Sequence, residues 1–473
     1  MKKIRSFSLV LSIFLLLGLI LFPAAAEEAP AVQFGCSTLQ GALPLGGSEA
    51  LLPTADSVIL YELNTKTLVY AYRPDDRINP SSMVKIMSAL VALERGNLED
   101  MVTVRRETLD SVPIGSVSAG LRRGEEISLK DLLYCCMVAS ANDATAVLAE
   151  HIAGSQAAFV DMMNEKARSL GCRDTFFSNV NGLNDDIQYS TARDLAIITE
   201  AALQDPVFLD LFTTDKCVIP ATNLSEERTI FTTNYMMNDE KVKGYLDERV
   251  TGGKTAAATQ TKRSLICTAD VGTARYLSVV MSADSVMSED KISVISFGSF
   301  LETAQLLDHA QATYEVRQIL ESTQTYSQHP VQGGENDVTA APREDVFTVL
   351  PLTYEPGTLQ FTPVIHTNAL TAPLQAGTTI GSIRVTYQGV VLADTELAAM
   401  FTVAQKDTTI RPAPPIEKTE EELRSENLLK WVWIVVLAGA ALAVVLVLGV
   451  RVVRNAKIRS MYRKRKRNRR RSR

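Results

Sequence analysis

The chain has 473 residues, of which 46% are hydrophobic and 22% charged, so it is long enough for roughly two or three domains with a sizeable core. The formal net charge is −6, but the last 23 residues hold 13 lysines and arginines and no acid, which leaves −19 on the rest. This acidic balance argues against a nucleic-acid substrate for everything before the tail.

Residues 1–26 have the pattern of a secretory signal peptide. A basic start precedes the apolar run LVLSIFLLLGLILF, and the small residues of PAAA follow it. We predict a cleaved signal, with an uncleaved membrane anchor as the alternative, and a loose lead-in over residues 27–50.

Residues 51–318 alternate between strand and helix patterns. SVILYELNTKTLVYAY reads as a β-hairpin, INPSSMVKIMSAL opens a helix, and the helical pattern from Asp131 to Ala153 is broken near Ser140. SLICTA and ARYLSVVMSA are two successive strands that can pair, and SFLETAQLLDHAQATYEV is an amphipathic helix. Together these elements predict an α+β domain.

The composition of the rest of the chain changes from one segment to the next. We predict a polar linker over residues 319–344, a small all-β domain over 345–407 and a Pro-rich, charged stalk over 408–429. Residues 430–450 are long and apolar enough for one transmembrane helix, with Trp431 and Trp433 at its edge.

The basic tail, residues 451–473, follows the predicted span directly. The positive-inside rule predicts that this tail lies in the cytoplasm and that the rest of the mature chain lies outside a cell membrane, which the chain crosses once. Anionic lipid is then a nearer partner for the tail than nucleic acid.

Six cysteines are present: Cys36, Cys135, Cys136, Cys172, Cys217 and Cys267. Export permits disulfides, but the adjacent pair in a helical pattern cannot face one partner, so we expect mostly unpaired, buried thiols. No Cys/His cluster has metal-ligand spacing, and we predict no metal and no cofactor.

Ser82 and Lys85 are the first candidate for chemistry. They lie three residues apart, which places both on one face of a helix, and their neighbours are apolar. A serine hydroxyl becomes a nucleophile when a neighbouring base takes its proton, and a lysine can be that base when burial or a second cation lowers its pKa. A helix cap and a solvated lysine are the alternative interpretation.

Two further motifs support a catalytic interpretation of Ser82 and Lys85. SANDA supplies Ser140 and Asn142, and GGKTAAA supplies Lys254 and Thr255. S-x-x-K, S-D-N and K-T-G form the motif set of penicillin-binding proteins and class A β-lactamases, and this chain has Ser-Ala-Asn and Lys-Thr-Ala at the second and third motifs. A second S-x-x-K, Ser288 to Lys291, lies in a polar stretch and is not followed by the other two motifs in order, so we attribute it to chance.

With these motifs the chain resembles the serine D-alanyl-D-alanine carboxypeptidases, the low-molecular-weight penicillin-binding proteins of the peptidase S11 type. The resemblance covers residues 55–315 well, including NGLNDDIQYSTARDLAII, and residues 340–407 loosely. It implies a β-lactamase/transpeptidase-like catalytic domain with an antiparallel sheet and helices. It also implies peptidoglycan stem peptides ending in D-Ala-D-Ala as substrates and β-lactams as covalent inhibitors.

The resemblance also implies a role for each motif residue. Ser82 would be the acyl-enzyme nucleophile, Lys85 its general base and Ser140 a proton relay to the leaving D-alanine. Asn142 would hold the substrate or Lys85, while Lys254 and Thr255 would bind the carboxylate side of the substrate. The backbone N–H groups of Ser82 and Ala257 would form the oxyanion hole. We further expect the charge of Lys254 to lower the pKa of Lys85.

Three positions depart from the family pattern. Val84 replaces a threonine, Ala256 replaces the glycine after Lys-Thr, and Ser299 stands where many members have an arginine for the terminal carboxylate; Arg263 or Lys291 would be the compensating cations. Ala256 and Ser299 motivate one alternative, a degenerate member that binds wall peptides or β-lactams without turnover.

A β-lactamase is the second alternative, but no Glu-x-x-x-Asn motif for deacylation is present. A Ser-His-Asp triad is unattractive, since His151 lies more than two helical turns beyond Asn142 and is interpreted as structural.

Overall fold

The protein is described here from a computed structural model that covers residues 39, 45, 51, 53–183, 185–291, 293–355, 357–366, 370–406 and 420–469. The predicted signal peptide, most of the predicted lead-in and Cys36 lie outside the described residues, as does most of the predicted stalk. The chain divides into two compact units, Met1–Ala404 and Gln405–Arg473.

The first part of the chain contributes eleven described strands. They are β1 (Ser57–Glu62), β2 (Thr67–Tyr72), β3 (Met101–Thr103), β4 (Glu126–Ser128), β5 (Lys216–Ile219), β6 (Arg228–Phe231), β7 (Val250–Ala257), β8 (Lys262–Val271), β9 (Ala274–Asp284), β10 (Val286–Met287) and β11 (Val294–Ser296). The main sheet is antiparallel with order β2-β1-β9-β8-β7, which makes β7 an edge strand. The predicted hairpin (β1–β2) and the predicted pair of strands (β8–β9) are confirmed.

Eight helices belong to the same part of the chain within the described residues. They are α1 (Val84–Arg95), α2 (Arg106–Asp110), α3 (Leu129–Met137), α4 (Asn142–Ala153), α5 (Gln156–Ser169), α6 (Ala192–Ala202), α7 (Pro206–Thr213) and α8 (Gly298–Thr313). A short 3-10 turn, Ser81–Met83, leads into α1. The predicted break near Ser140 is confirmed, because α3 ends and α4 begins on either side of it.

Each face of the main sheet is covered by helices. On one face Ile266 and Val279 pack into a core that includes the buried side of α1. On the other face Leu265 and Val280 pack against α8, for example against Leu306. Side chains alternate between the two faces along each strand, so the edge strand β7 sends residues to both. The α+β prediction is confirmed.

The remaining strands form the small β domain. They are β12 (Tyr314–Leu320), β13 (Ser327–His329), β14 (Val338–Pro342), β15 (Val346–Pro351), β16 (Leu359–Ile365), β17 (Thr379–Tyr387) and β18 (Val390–Ala399). A five-stranded sheet has order β13-β14-β18-β17-β16, and β12 pairs with β15. The prediction of a linker over residues 319–344 is wrong, because β13 and β14 lie within it and β12 ends there.

This stretch has a polar composition, and its strands are therefore not apparent from the sequence pattern. Short strands with turn residues between them carry too few apolar residues to stand out by periodicity. In addition, β12 follows α8 directly, and Thr67 Oγ1 lies 3.0 Å from Thr348 Oγ1 in a buried contact between the two parts. The β domain is therefore packed onto the catalytic part rather than tethered to it.

The second unit contains one long helix, α9 (Glu420–Arg469). Within it Asn427–Arg451 contains an 18-residue window with a mean hydropathy of 2.8, and the segment is long and apolar enough for a membrane span by length and composition. The helix continues past this apolar segment into the basic tail.

Candidate active site

The amino-terminal end of α1 brings the first predicted pair together. Ser82 lies in the 3-10 turn before the helix, and Lys85 lies in its first turn. The distance from Lys85 Nζ to Ser82 Oγ is 3.3 Å. Because the two residues are one helical turn apart, the helix itself supplies this contact.

The ammonium group of Lys85 is completely buried and is held by two further partners. It donates to Asn142 Oδ1 at 2.8 Å and to the carbonyl oxygen of Asn181. Asn142 begins α4, so the S-x-N motif serves the first pair as well as the second. Of the two roles predicted for Asn142, this contact corresponds to holding Lys85.

A loop that the sequence analysis had assigned no role supports this arrangement. Gly182 has φ +78°, and a Cβ there would lie 1.9 Å from the carbonyl oxygen of Ser81. Ser81 is itself in the left-handed region at φ +47°, and its N–H donates to Asn79 Oδ1 at 2.9 Å. Only glycine permits the loop to approach so closely and to present the Asn181 carbonyl to Lys85.

A second serine–lysine pair faces the first from another part of the chain. Lys254 on β7 donates from Nζ to Ser140 Oγ at 2.7 Å and to its neighbour's carbonyl oxygen, that of Thr255, at 3.3 Å. Ser140 lies between α3 and α4 with φ +60°, a conformation that non-glycine residues rarely adopt. Strain of this kind persists only where the surrounding structure holds the residue in place, and here the hydrogen bond from Lys254 contributes to that.

Both lysines titrate well below their usual range. Burial lowers the pKa of Lys85 to about 8. Burial first, and the charge of Lys85 second, lower the pKa of Lys254 to about 7. Burial, rather than the like charge that we predicted, is therefore the main cause at Lys85. A lysine with such a pKa is partly neutral near neutral pH and has a lone pair for a proton.

The end of β7 lies beside the 3-10 turn that holds Ser82. Thr255 Oγ1 lies 2.5 Å from Thr233 Oγ1, and the carbonyl oxygen of Ala257 accepts a hydrogen bond from Ser81 Oγ at 3.0 Å. Ala257 is exposed while Ala256 is buried. The structure thus brings all seven predicted residues to one region. It adds Thr233, and it adds Asn181, the first residue of the stretch NGLNDDIQYSTARDLAII that resembles the family but was assigned no role.

The structure shows the burial and the contacts of the residues that depart from the family pattern. Ala256 packs into the core that includes the buried side of α1. With alanine at this position, Thr255 contacts Thr233 and Ala257 accepts a hydrogen bond from Ser81. Ser299 is 1% exposed in the first turn of α8. Lys291 is exposed in a turn at φ +57°.

The remaining candidates lie elsewhere. Ser288 belongs to the same exposed turn as Lys291 and bonds Asp290 Oδ1 at 2.5 Å, as expected for a chance match. His151 Nε2 lies 3.1 Å from Asp100 Oδ2. No disulfide joins any two of the described cysteines; Cys135, Cys136 and Cys267 are buried, as predicted, whereas Cys172 and Cys217 are half-buried.

Two family models match the sequence. The model described as D-alanyl-D-alanine carboxypeptidase matches residues 48–285, just over half of the chain. The model described as the C-terminal domain of penicillin-binding protein 5 matches residues 314–405, which agrees with a β domain that starts at β12 rather than at residue 345.

Individual relatives agree with the family match. The D-alanyl-D-alanine carboxypeptidase DacF of Bacillus subtilis is 28% identical over 348 residues, covering 73% of this chain and 85% of the relative. The D-alanyl-D-alanine carboxypeptidase DacA of Haemophilus influenzae is 29% identical over 366 residues, covering 74% and 86% respectively.

The fold agrees as well. Penicillin-binding protein 5 from Haemophilus influenzae superimposes with a TM-score of 0.60 at 27% identity, over 76% of this chain and 100% of that one. The predicted catalytic fold, followed by a small all-β domain, is thereby confirmed. This chain belongs to the D-alanyl-D-alanine carboxypeptidase family, peptidase S11, and is a serine hydrolase of that class.

Proposed function

We propose that this carboxypeptidase removes the terminal D-alanine from peptidoglycan stem peptides through an ester on Ser82. The observation that carries the proposal is the contact between Ser82 Oγ and the buried Lys85 Nζ at 3.3 Å. The family match over residues 48–285 supports the substrate class, and it supports covalent inhibition by β-lactams.

The first half-reaction forms the ester. Neutral Lys85 accepts the proton of Ser82, and Oγ bonds to the carbonyl carbon of the penultimate D-alanine. The C–N bond to the terminal D-alanine then breaks, and the proton held by Lys85 passes through Ser140 to the leaving amine, which returns Lys85 to its neutral form. The hydrogen bond from Lys254 to Ser140 Oγ leaves the hydroxyl proton of Ser140 available for that transfer.

The second half-reaction returns the free enzyme. Water attacks the ester carbonyl and gives a proton to Lys85, which passes it to Ser82 Oγ as the bond to the shortened peptide breaks. In both steps the N–H groups of Ser82 and Ala257 stabilise the negative oxygen, an effect worth about 10²–10³ in rate for each donor. The position of Ser82 before α1 adds the favourable field of a helix amino terminus.

Two substrate contacts complete the proposed site. Asn142, which already binds Lys85, also holds the substrate backbone, and Thr255 donates to the carboxylate side of the substrate. The contact between Thr255 and Thr233 orients the first hydroxyl and supports this role.

We also propose that α9 anchors the enzyme in the cell membrane. The apolar segment Asn427–Arg451 supports a single span, and the basic residues that follow it favour a cytoplasmic tail and an external catalytic domain. External protease on intact cells should release the catalytic domain and leave the tail protected. Cleavage within the tail under these conditions would contradict this topology.

The test of the chemistry uses the full chain in detergent with a fluorescent penicillin and with a peptide ending in D-Ala-D-Ala. Wild type should form a long-lived covalent adduct and release D-alanine, and Ser82→Ala should do neither. An adduct without D-alanine release would favour the degenerate binder, and rapid loss of the adduct as hydrolysed penicillin would favour a β-lactamase. No adduct in folded wild type would overturn the mechanism.

A further inference from the structure

A loop beside the start of α4 supports one of the residues that hold Lys85. The loop connects α2 to β4 over residues 111–125, and the carbonyl oxygen of Val117 accepts a hydrogen bond from the backbone N–H of Asn142 at 2.8 Å. The side chain of Asn142 in turn binds the ammonium group of Lys85. The position of this loop therefore affects a group that orients the proposed base.

The middle of the loop is held by a carboxylate that follows Asn142 directly. Asp143 is buried, and its side chain accepts three hydrogen bonds from the loop: from Ser118 Oγ at 2.6 Å and from the N–H groups of Ala119 and Leu121 at 2.9 and 3.1 Å. Hydrogen bonds to an ionised acceptor are stronger than those between neutral groups. The loop is thus fixed to the first turn of α4.

A buried ion pair holds the end of the loop. Glu125 is completely buried and pairs with Arg228 on β6. Its carboxylate also accepts hydrogen bonds from Thr222 Oγ1 at 3.0 Å and from the backbone N–H of Arg122 at 2.8 Å. Arg228 reaches the middle of the loop as well, because its Nη1 donates to the carbonyl oxygen of Ala119 at 2.9 Å. One guanidinium thus connects two parts of the loop.

The strand that carries Arg228 leads to another part of the site. β6 ends at Phe231, and Thr233, two residues later, contacts Thr255 of β7 at 2.5 Å between the two hydroxyl oxygens. Arg228 therefore joins the loop that supports Asn142 to the segment that contacts the K-T motif.

Stability alone is a weak explanation for this ion pair. Desolvation of two buried charges often cancels their attraction, and a well-packed apolar pair of similar volume is commonly as stable. An apolar pair has no directional contacts, whereas a guanidinium has donors in a fixed plane and can bind a carboxylate and a carbonyl oxygen together. This difference favours a role in fixing the geometry of the loop.

We propose that Arg228, through Glu125 and Ala119, positions the loop and thereby Asn142 for the acylation of Ser82. Arg228 is a positioning residue, because it acts through Asn142 rather than on the reacting atoms. The proposal rests on the function proposed above. A purely structural ion pair is the competing explanation, and it predicts lower stability with unchanged kinetics of the folded enzyme.

The experiment measures acylation by a fluorescent penicillin and kcat/KM for D-alanine release, on the full chain in detergent and well below the unfolding temperature of each variant. Arg228→Met alone leaves Glu125 buried without its counter-ion and can fail to fold. The informative variant therefore combines Arg228→Met with Glu125→Gln, which leaves no charge buried. Both rates should fall about 10–100-fold, since a misplacement of about 1 Å can cost about 100-fold.

A conservative substitution should rescue part of the loss. Arg228→Lys with Glu125 retained should fall between the double variant and wild type, because lysine keeps the charge but loses the planar fork that also reaches Ala119.

Arg193→Met is the matched control. Arg193 likewise pairs with a carboxylate, that of Asp75 at 2.6 Å, and donates to a carbonyl oxygen, that of Leu39 at 2.9 Å. These contacts lie outside the loop, so the substitution should lower the unfolding temperature and leave both rates at the wild-type value.

Combination with Asn142→Ala separates positioning from general destabilisation. In that background the double substitution should cost less than about threefold, because the side chain that the loop positions is absent, whereas independent effects would multiply. A full 10–100-fold loss in this background would show that Arg228 does not act through Asn142, and would overturn the proposal.

The remaining outcomes distinguish this proposal from the proposed function. Wild-type rates in the folded double variant, with wild type releasing D-alanine, would overturn the role of Arg228 alone. Acylation of wild type without D-alanine release would overturn the proposed function, and a loss of acylation in the double variant would still support Arg228. Wild type that is neither acylated nor active would overturn both.

Discussion

Two serine–lysine pairs meet in the cleft, and the chain builds them in opposite ways. Ser82 and Lys85 are three residues apart and one helical turn brings them to 3.3 Å. Ser140 and Lys254 are 114 residues apart, and their contact at 2.7 Å exists only because β7 packs beside the loop between α3 and α4. The first pair is a product of local geometry and the second of tertiary structure.

The difference shows that proximity and reactivity have separate origins. Helical spacing places Lys85 near Ser82, but burial lowers its pKa, and Asn142 and Asn181 from other segments orient it. The decoy pair Ser288 and Lys291 has the same spacing in an exposed turn. Spacing alone therefore does not make a base.

The largest expected effect distinguishes the two lysines. Lys85→Met should slow acylation by fluorescent penicillin about 10²–10⁴-fold, since a general base contributes that much and methionine has no basic nitrogen. Lys254→Met should cost less, because it removes a hydrogen bond to Ser140 rather than the base. Acylation rates of the two full-length variants provide the measurement.

The opposite order would assign the base to Lys254. Methionine is apolar and of similar length, so both variants should remain folded in these buried positions. Thermal unfolding checks that point.

Removing the hydroxyl of the second pair should have a smaller effect. Ser140→Ala should reduce kcat/KM for D-alanine release about 10–100-fold, the range for one hydrogen bond to a charged group. Ser288→Ala is the control, because it alters the serine of the decoy motif and should leave kcat/KM at the wild-type value. Equal effects of the two substitutions would remove Ser140 from the proton path.

The pH profile tests which lysine is the base. A lysine accepts a proton only when neutral, so kcat/KM should fall about tenfold per pH unit below the pKa of the base. With Lys85 as base the midpoint should lie near 8, and with Lys254 as base near 7. Rates from pH 5.5 to 9 on wild type and Ser140→Ala give the midpoint, and a flat profile would exclude both lysines.

The smallest expected effect concerns Ala256, beside Lys254 and Thr255. Ala256→Gly should change the acylation rate less than about threefold, because the contacts of Thr255 and Ala257 are already in place. It should lower the free energy of unfolding by about 1–2 kcal/mol, through the lost buried methyl group and the flexibility of glycine. A large gain in acylation would show that the methyl group holds the oxyanion donor out of position.

Sequence patterns predicted most of the catalytic domain because its elements are long and strongly periodic. The break at Ser140 and the pair β8–β9 emerged in this way. The β domain was predicted only in part, since β13 and β14 are short, and β16 carries Pro363 on an edge strand. Pairing across such strands depends on partners that are distant in the chain.

By itself the sequence determined the chemistry that is available: the motif residues, their order and the helical spacing of Ser82 and Lys85. Only the tertiary structure decided how that chemistry is used. It buried both lysines, brought Lys254 to Ser140, and placed the Asn181 carbonyl on Lys85 through the close approach at Gly182. The reason is physical: desolvation and long-range contacts arise from packing between distant segments, which local spacing does not encode.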